Sequence, residues 1–279
     1  MERDNFKTLS GLSAMFRQAV IQAKARGASI PDCALKSFSK EELEQHALER
    51  EERHLKEIEE SHRVWLQESR ERRVRELLQR SAIPPLYIGK TFESVEKRNE
   101  SIELALQKAE QYVGHWNEYG PKGYGFLFHG ASGLGKTHLA CALLQELQKR
   151  HEVQGLYVTT YELIADQKKR FDKARRENDT QDGNTLMELC LEADFLILDE
   201  VGLERGTEFE LDLIQTLLIR RFDHLKPTVM VSNLSFKTKN SRGKTLGVYL
   251  GQRITDRLRQ FCRMFEFEGD SRRGEEDGF

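Results

Sequence analysis

The sequence predicts an α/β domain built on a parallel sheet of five strands, preceded by a helical region. Two observations carry this. From Tyr124 onward, short apolar runs alternate with helical patterns, as expected of strands covered on both faces by helices. The first of those runs leads straight into a glycine-rich loop, and a helix leads out of it. A third observation divides the chain. Residues 40–80 are dominated by Glu, Arg and Lys without Gly or Pro, and after Pro84 and Pro85 the texture turns globular. The expected domains are therefore 1–83, helical, and 84–279, the α/β domain.

In order along the chain, residues 5–26 place Phe6, Leu9, Leu12, Phe16 and Val20 at helical spacing, and Gly27 and Pro31 close the pattern. Residues 40–80 read as one long solvated helix laced with Glu–Lys and Glu–Arg pairs. Leu48, Leu55, Ile58 and Trp65 sketch a heptad seam that Glu51 and His62 break. Such a helix would reach about 60 Å. Residues 101–117 form an amphipathic helix with Ile102, Ala105, Ala109, Tyr112, Val113 and Trp116 on one side. Strands are expected at 124–129, 155–160, 194–199, 228–232 and 264–268, with helices at 136–150 and 209–222 between them.

The 279 residues suffice for one α/β domain plus an appendage, and the net charge of −2 excludes a global polycation. Contact with nucleic acid must then come from a local patch. Cys33, Cys141, Cys190 and Cys262 stand far apart with no CxxC pair, which argues against zinc and disulfides. Met1 to Lys7 holds no signal-peptide core, and no apolar run is long enough to span a membrane. A cytoplasmic location without membrane partners is expected.

Residues 130–137 read Gly-Ala-Ser-Gly-Leu-Gly-Lys-Thr and match G-x-x-x-x-G-K-[ST]. Gly130, Ala131, Ser132, Gly133, Leu134 and Gly135 would aim backbone N–H groups at phosphate oxygens, helped by the helix N-terminus. Lys136, expected to stand exposed at the helix start, would reach the β- and γ-phosphates. Thr137 would hold Mg²⁺, and His138 follows in the same nucleotide-binding turn. A second Gly-Lys-Thr at 243–245 lacks the upstream glycine and the strand, and reads as loop.

Phe195 to Leu198 lead into Asp199 and Glu200, two carboxylates at the end of a buried strand. Asp199 can orient Mg²⁺ and Glu200 can polarise the attacking water. No Asn-Lys-x-Asp motif appears, which favours ATP over GTP. The fourth strand ends in Ser232 and Asn233, where an amide would lie between the two motifs; an Asn at a strand end also serves as a turn former.

Together these residues resemble the AAA+ ATPases of the DnaC/IstB group, the bacterial and phage replicative-helicase loaders and their relatives. The likeness runs from about Pro84 to Arg273. It includes Thr91-Phe92, Gly-Lys-Thr-His-Leu-Ala at 135–140, Asp-Glu-Val-Gly at 199–202, Arg-Arg-Phe at 220–222 and Pro-Thr-Val-Met-Val-Ser-Asn at 227–233. Gly-Gln-Arg-Ile-Thr-Asp-Arg-Leu at 251–258 is its most group-specific piece. The resemblance implies a five-stranded sheet in order 5-1-4-3-2 and, with few residues after Arg273, no C-terminal lid. It makes Asn233 the sensor 1 residue, Arg257 the arginine finger ahead of Arg253, and Arg273 the sensor 2 residue. A finger acts on a neighbour's ATP, so it also implies self-association into a ring or spiral. Read from the residues alone, Arg253, Arg257 and Arg259 are equally a basic helix face.

Lys168, Lys169, Arg170, Phe171, Lys173, Arg175 and Arg176 interleave basic groups with an aromatic, a composition that suits single-stranded DNA; Asp166, Asp172 and Glu177 dilute it. By resemblance Lys168 and Phe171 are the first DNA-binding candidates, followed by Thr207 and Phe209. The apolar stripe Leu9, Leu12, Met15 and Phe16 could dock on the hexameric replicative helicase or pack on the protein's own body. Two functions follow: an ATP-dependent helicase loader, or an IstB-like ATPase that assists a transposase on DNA. A third reading, a binding module with a relic ATP site, is opposed by the intact Lys136, Thr137, Asp199 and Glu200.

Overall fold

A computed structural model of the chain describes residues 22–23, 25–27, 40–97, 99–177, 185–203, 206–236 and 245–269. The amphipathic pattern at 5–26 lies almost wholly outside them. The chain divides into two compact units, Met1–Glu71 and Arg72–Phe279. Helix α1, Lys40–Arg80, spans that division. Leu55, Ile58 and Trp65 on it are each more than half exposed, at 55%, 51% and 58%. These three positions of the interrupted heptad therefore face solvent.

The second unit is a five-stranded sheet flanked by helices. Its elements are α2 (Glu100–Gly114), α3 (Trp116–Tyr119), β1 (Gly125–Gly130), α4 (Lys136–His151), β2 (Gly155–Thr159) and α5 (Thr160–Glu177). They continue with α6 (Leu186–Glu192), β3 (Phe195–Asp199), α7 (Glu208–Asp223), β4 (Thr228–Ser232), α8 (Leu246–Phe261) and β5 (Cys262–Phe267). All strand pairs are parallel, and the order is β2-β3-β4-β1-β5. Read from the other edge, that is the expected 5-1-4-3-2.

Strand alternation explains the two cores. Phe126, Phe128, Phe195, Ile197, Val229 and Val231 point to one face, where α2 and α4 bury Ala105, Val113, Leu139 and Leu143 on them. Leu127, Leu196, Leu198 and Met230 point to the other, against Leu163, Ile214, Leu217 and Leu258. Residues that alternate in direction yet are apolar on both sides produce the continuous runs seen in the sequence.

Two elements differ from expectation. The helix anticipated over 101–117 ends at Gly114, because His115 leaves helical geometry (φ −112°, ψ 26°) and Trp116 starts a separate turn. The last strand begins at Cys262, since α8 feeds directly into it and Cys262 already pairs with Gly125.

The segment between α1 and the core is held by backbone. The Ser81 carbonyl accepts from the Tyr157 N–H at 2.7 Å, closing part of the free edge of β2. Gln148 Nε2 donates to the Leu77 carbonyl at 3.1 Å. Ser81 and Ile83 are buried, and Ile83 joins the core, so the compact unit takes in residues ahead of the proline pair.

Among the described residues one cation is wholly interior. Arg221 on α7 is 0% exposed. Its guanidinium donates to Thr228 Oγ1 (2.9 Å) and to the carbonyls of Cys190, Ala193 (2.9 Å) and Pro227 (2.7 Å). It thereby ties α6 to the entries of β3 and β4, and burial lowers its pKa to about 10. Arg221→Ala is expected to strand these acceptors and destabilise the protein by about 3 kcal/mol. Urea unfolding checks this; a loss within error of zero would mean that water replaces the guanidinium.

Candidate functional site

Every strand runs in the same direction, so the C-terminal ends of β1, β3 and β4 open on one edge of the sheet, and the sequence motifs meet there. The turn after β1 needs its glycines for stated reasons. Gly130 has φ 120°, and a Cβ on it would lie 2.2 Å from the Phe267 carbonyl oxygen of β5. Gly135, at φ 86°, is the N-cap of α4. The backbone so turned presents its N–H groups around the start of a helix of sixteen residues.

Lys136 corrects the expectation of exposure. It is only 4% exposed, and its ammonium donates to the carbonyls of Gly130 (2.9 Å) and Ala131 (2.5 Å). The loop wraps around the first turn of α4, so the side chain lies inside the turn rather than outside it.

Thr137 and Asp199 come together. Thr137 Oγ1 donates to Asp199 Oδ2 at 2.9 Å. The same oxygen accepts the Tyr157 hydroxyl at 2.9 Å, and Asp199 Oδ1 accepts the Glu200 N–H at 2.7 Å. A buried carboxylate and a hydroxyl are hard oxygen donors, the set that Mg²⁺ takes alongside substrate phosphates. Residues Thr137 and Asp199 thus fit the ion that the motif implies.

Tyr157 is the residue that sequence reading missed. It stands on β2, next to β3, and its phenol pKa is raised by burial first and then by the Asp199 charge. The hydroxyl keeps its proton and serves as a fixed donor to the carboxylate. The only signal in the sequence was a tyrosine in an otherwise apolar strand.

Glu200 is exposed and adopts φ 61°, a left-handed conformation rare outside glycine and asparagine. The Thr160 hydroxyl (3.1 Å) and the Leu203 N–H (3.2 Å) both bond its carbonyl and hold the turn. That strain turns the carboxylate out of the strand end while Asp199 stays buried. Asn233 follows β4, which lies between β1 and β3, so it stands between loop and carboxylates. The Ser232 hydroxyl, donating to the Val201 carbonyl at 2.6 Å, ties that strand end to the turn after Glu200.

Two histidines flank the turn. His138 Nε2 lies 2.7 Å from Ser94 Oγ, and its pKa is lowered, chiefly by burial. Gln145 bonds the carbonyls of Tyr87 and Lys90, so residues 87–94 lie along α4. His129, at the end of β1, accepts the Phe236 N–H on Nδ1 at 3.3 Å. Burial lowers its pKa, with Lys136 adding to the effect and Glu266 opposing it.

The remaining candidates fall elsewhere. Arg257 lies on α8 about one turn before β5 and pairs with Asp223 at the end of α7 at 2.8 Å. Both positions adjoin the N-terminal ends of strands, roughly 20 Å from the loop edge. Arg257 therefore cannot serve the site of its own chain. Gly251, with φ 78° and ψ 165°, breaks α8 ahead of it. Arg273 lies outside the described residues. Lys168 pairs with Glu210 at 2.8 Å, and Glu210 also accepts the N–H groups of Gly206 and Thr207 as part of the α7 cap. Lys168 is the first cause of the lowered Glu210 pKa. Exposed Phe171 meets Phe209 edge to face, with ring centroids 5.7 Å apart.

Comparison with known proteins adds the family. The model of IstB-like ATP binding proteins matches residues 34–277. The chain is similar to the replicative helicase loader DnaC of Escherichia coli K12, at 31% identity over 190 residues, 68% of this chain and 71% of that protein. It is also similar to the uncharacterized protein YdaV of the same strain, at 33% identity over 68% of this chain and 69% of that one. Among solved structures, the DnaC helicase loader superposes with a TM-score of 0.55 at 23% identity, over 66% of this chain and 100% of that one. DnaI does so with 0.53 at 25%, over 68% and 94%. The AMPPCP-bound DnaA of Aquifex aeolicus shares the AAA+ fold at 18% identity, with a TM-score of 0.51 over 68% and 52%.

Two predictions follow from the geometry. Lys136→Ala should lower ATP affinity about a hundredfold while the far-ultraviolet circular dichroism stays that of the parent. Because the side chain is buried, a fall of about 1 kcal/mol in stability is expected beside it. Tyr157→Phe, which removes one donor from Asp199, should raise the Mg²⁺ concentration needed for half-maximal turnover about tenfold and leave ATP binding without metal unchanged. An unaltered Mg²⁺ titration would mean that Thr137 and the Glu200 N–H suffice to fix the carboxylate.

Proposed function

We propose a function for this chain from one premise: it belongs to the family of IstB-like ATP-binding proteins. On that premise it is an ATP-dependent loader of a replicative DNA helicase, acting in the cytoplasm on single-stranded DNA. The observation that carries the reading is the joining of Thr137, Asp199 and the glycine turn in a chain 31% identical to a replicative helicase loader. Among the described residues no helix is long and apolar enough to cross a membrane.

The chemistry follows from the groups present. Backbone N–H groups of residues 130–135 and the Lys136 ammonium would bind the phosphates of ATP, with His138 beside them. Thr137 and Asp199 would hold Mg²⁺, which supplies charge neutralisation at the β- and γ-phosphates. Glu200, turned outward, would take the proton of the attacking water as general base, and the Asn233 amide would orient that water. Arg257 would act on the ATP of an adjacent subunit in a ring or spiral. Its distance from the home site supports this, and Arg273 would complete the phosphate contacts. The Phe171–Phe209 pair, with Thr207 at the cap of α7, would stack on bases of the single strand. Residues 1–83, including the stripe Leu9, Leu12, Met15 and Phe16, would hold the helicase.

A second reading has its own support. The family model is that of IstB-like ATP binding proteins, and the resemblance to that group implies an ATPase that assists a transposase on DNA. Affinity capture from the source cell separates the two: a hexameric helicase supports the first and a transposase the second.

Three outcomes are expected. Glu200→Gln should bind ATP normally and turn over at least about a hundredfold more slowly. Wild-type turnover would move the base elsewhere. Arg257→Ala should be inactive in the assembled state and regain activity when mixed with Lys136→Ala, since a mixed interface pairs one intact loop with one intact arginine. Absence of rescue in verified mixed assemblies would end the shared-site reading. Residues 72–279, cut there because Ser81 and Ile83 are buried, should bind ATP but no longer retain the helicase. Retention by that fragment would move the partner surface onto the ATPase domain.

A further inference from the structure

At the edge of the sheet opposite the phosphate loop, where β1 and β5 begin, lies a cavity of about 380 Å³ that the ATPase chemistry does not use. That volume falls in the range of small-ligand sites. Its buried wall is aromatic and uncharged. Tyr112, Phe126 and Phe261 are each less than a tenth exposed, and Tyr119 stacks on Tyr112 at a centroid distance of 5.9 Å. The Tyr112 hydroxyl is spent on the Tyr124 carbonyl at 2.6 Å. Burial raises the pKa of the Tyr112 phenol and pushes the Cys262 thiol up to about 12, so neither ionises. The wall can thus receive a flat apolar ring but has no charge with which to hold an ion.

The rim is of the opposite character. It carries two cations, Lys108 and Arg263, and two amides, Gln111 and Gln260, and the lining contains no carboxylate. Lys108 bonds Gln111 at 2.9 Å. Arg263 and Gln260 have no side-chain hydrogen bond or ion pair among the described residues. An exposed guanidinium beside an open aromatic slot, with no acid to neutralise it, is arranged for an anion attached to a ring.

We propose that this cavity is a second nucleotide-binding site, which takes one nucleobase against its aromatic wall, where Tyr119 and Tyr124 are the rings left partly open, and the attached phosphate on Arg263 and Lys108. Stacking on tyrosine is indifferent to which base enters, while the Gln260 amide offers a donor and an acceptor to a base edge. The unit can come from a free nucleotide or from one residue of a single strand; both present the same ring and phosphate. The proposal does not rest on the helicase-loader reading, because none of its residues belongs to the phosphate loop or to the Phe171–Phe209 surface.

The test uses the full chain with its phosphate loop filled by stoichiometric Mg·ADP. Thymidine 5′-monophosphate and a short oligothymidylate are titrated separately, with saturation-transfer NMR reporting ring contact. Binding of either probe is expected, with affinity lowered about tenfold in Arg263→Gln and again in Tyr124→Ala, and with ADP affinity unchanged in both. Binding of the monophosphate identifies a free nucleotide as the source, and binding of the oligomer alone identifies a strand. Phe171→Ala serves as the control. If oligomer binding is lost in that variant and intact in Arg263→Gln, the strand lies on the other surface and the proposal falls. It also falls if neither probe binds at millimolar concentration.

Discussion

The carboxylate of Asp199 is the constraint on which the site depends. Three donors from three parts of the chain converge on it: the Thr137 hydroxyl from the helix after β1, the Tyr157 phenol from β2 and the Glu200 N–H from the turn after β3. A buried carboxylate would be costly without such partners, and with them its position is fixed in all directions. The parallel sheet makes this convergence possible, because it brings every strand end to the same edge. Glu200 then gains its exposure from the same turn that buries Asp199. One left-handed backbone torsion thus sets two adjacent carboxylates apart, one buried and one exposed.

Much of this was legible in the residues. The strands and the glycine turn could be anticipated because their requirements are local: glycine where φ is positive, apolar residues where both faces are covered; the strand order came from the family resemblance. The meeting of Thr137 and Asp199 followed from topology once the two motifs were placed. Tyr157 was not legible, since a tyrosine in a strand is ordinarily packing and only the register of β2 on β3 brings its hydroxyl to a carboxylate. Arg221 escaped for the same reason. Its acceptors are carbonyls at the ends of other elements, which leave no mark in the sequence. Lys136 was expected outside because it stands at a helix start, and here loop carbonyls meet its charge.

The electrostatics of the α5–α7 surface alter the reading of its basic run. Lys168 is committed to Glu210, and Arg170 to Asp166 at 3.0 Å. Charges so paired attract an anion more weakly than free ones, so these two residues contribute less positive field than composition suggested. The opposite edge of the sheet reverses the balance, with Arg263 unpaired among the described residues above an aromatic hollow.

The bond between the Tyr157 N–H and the Ser81 carbonyl has a mechanical meaning. Ser81 follows immediately on the long helix, so the helix end meets the sheet at the Tyr157 backbone, with the Gln148–Leu77 bond beside it. The side chain of the same tyrosine donates to the Asp199 carboxylate. Through its N–H and its hydroxyl, one residue of an edge strand thus joins the end of the helical arm to the oxygen that would hold the metal.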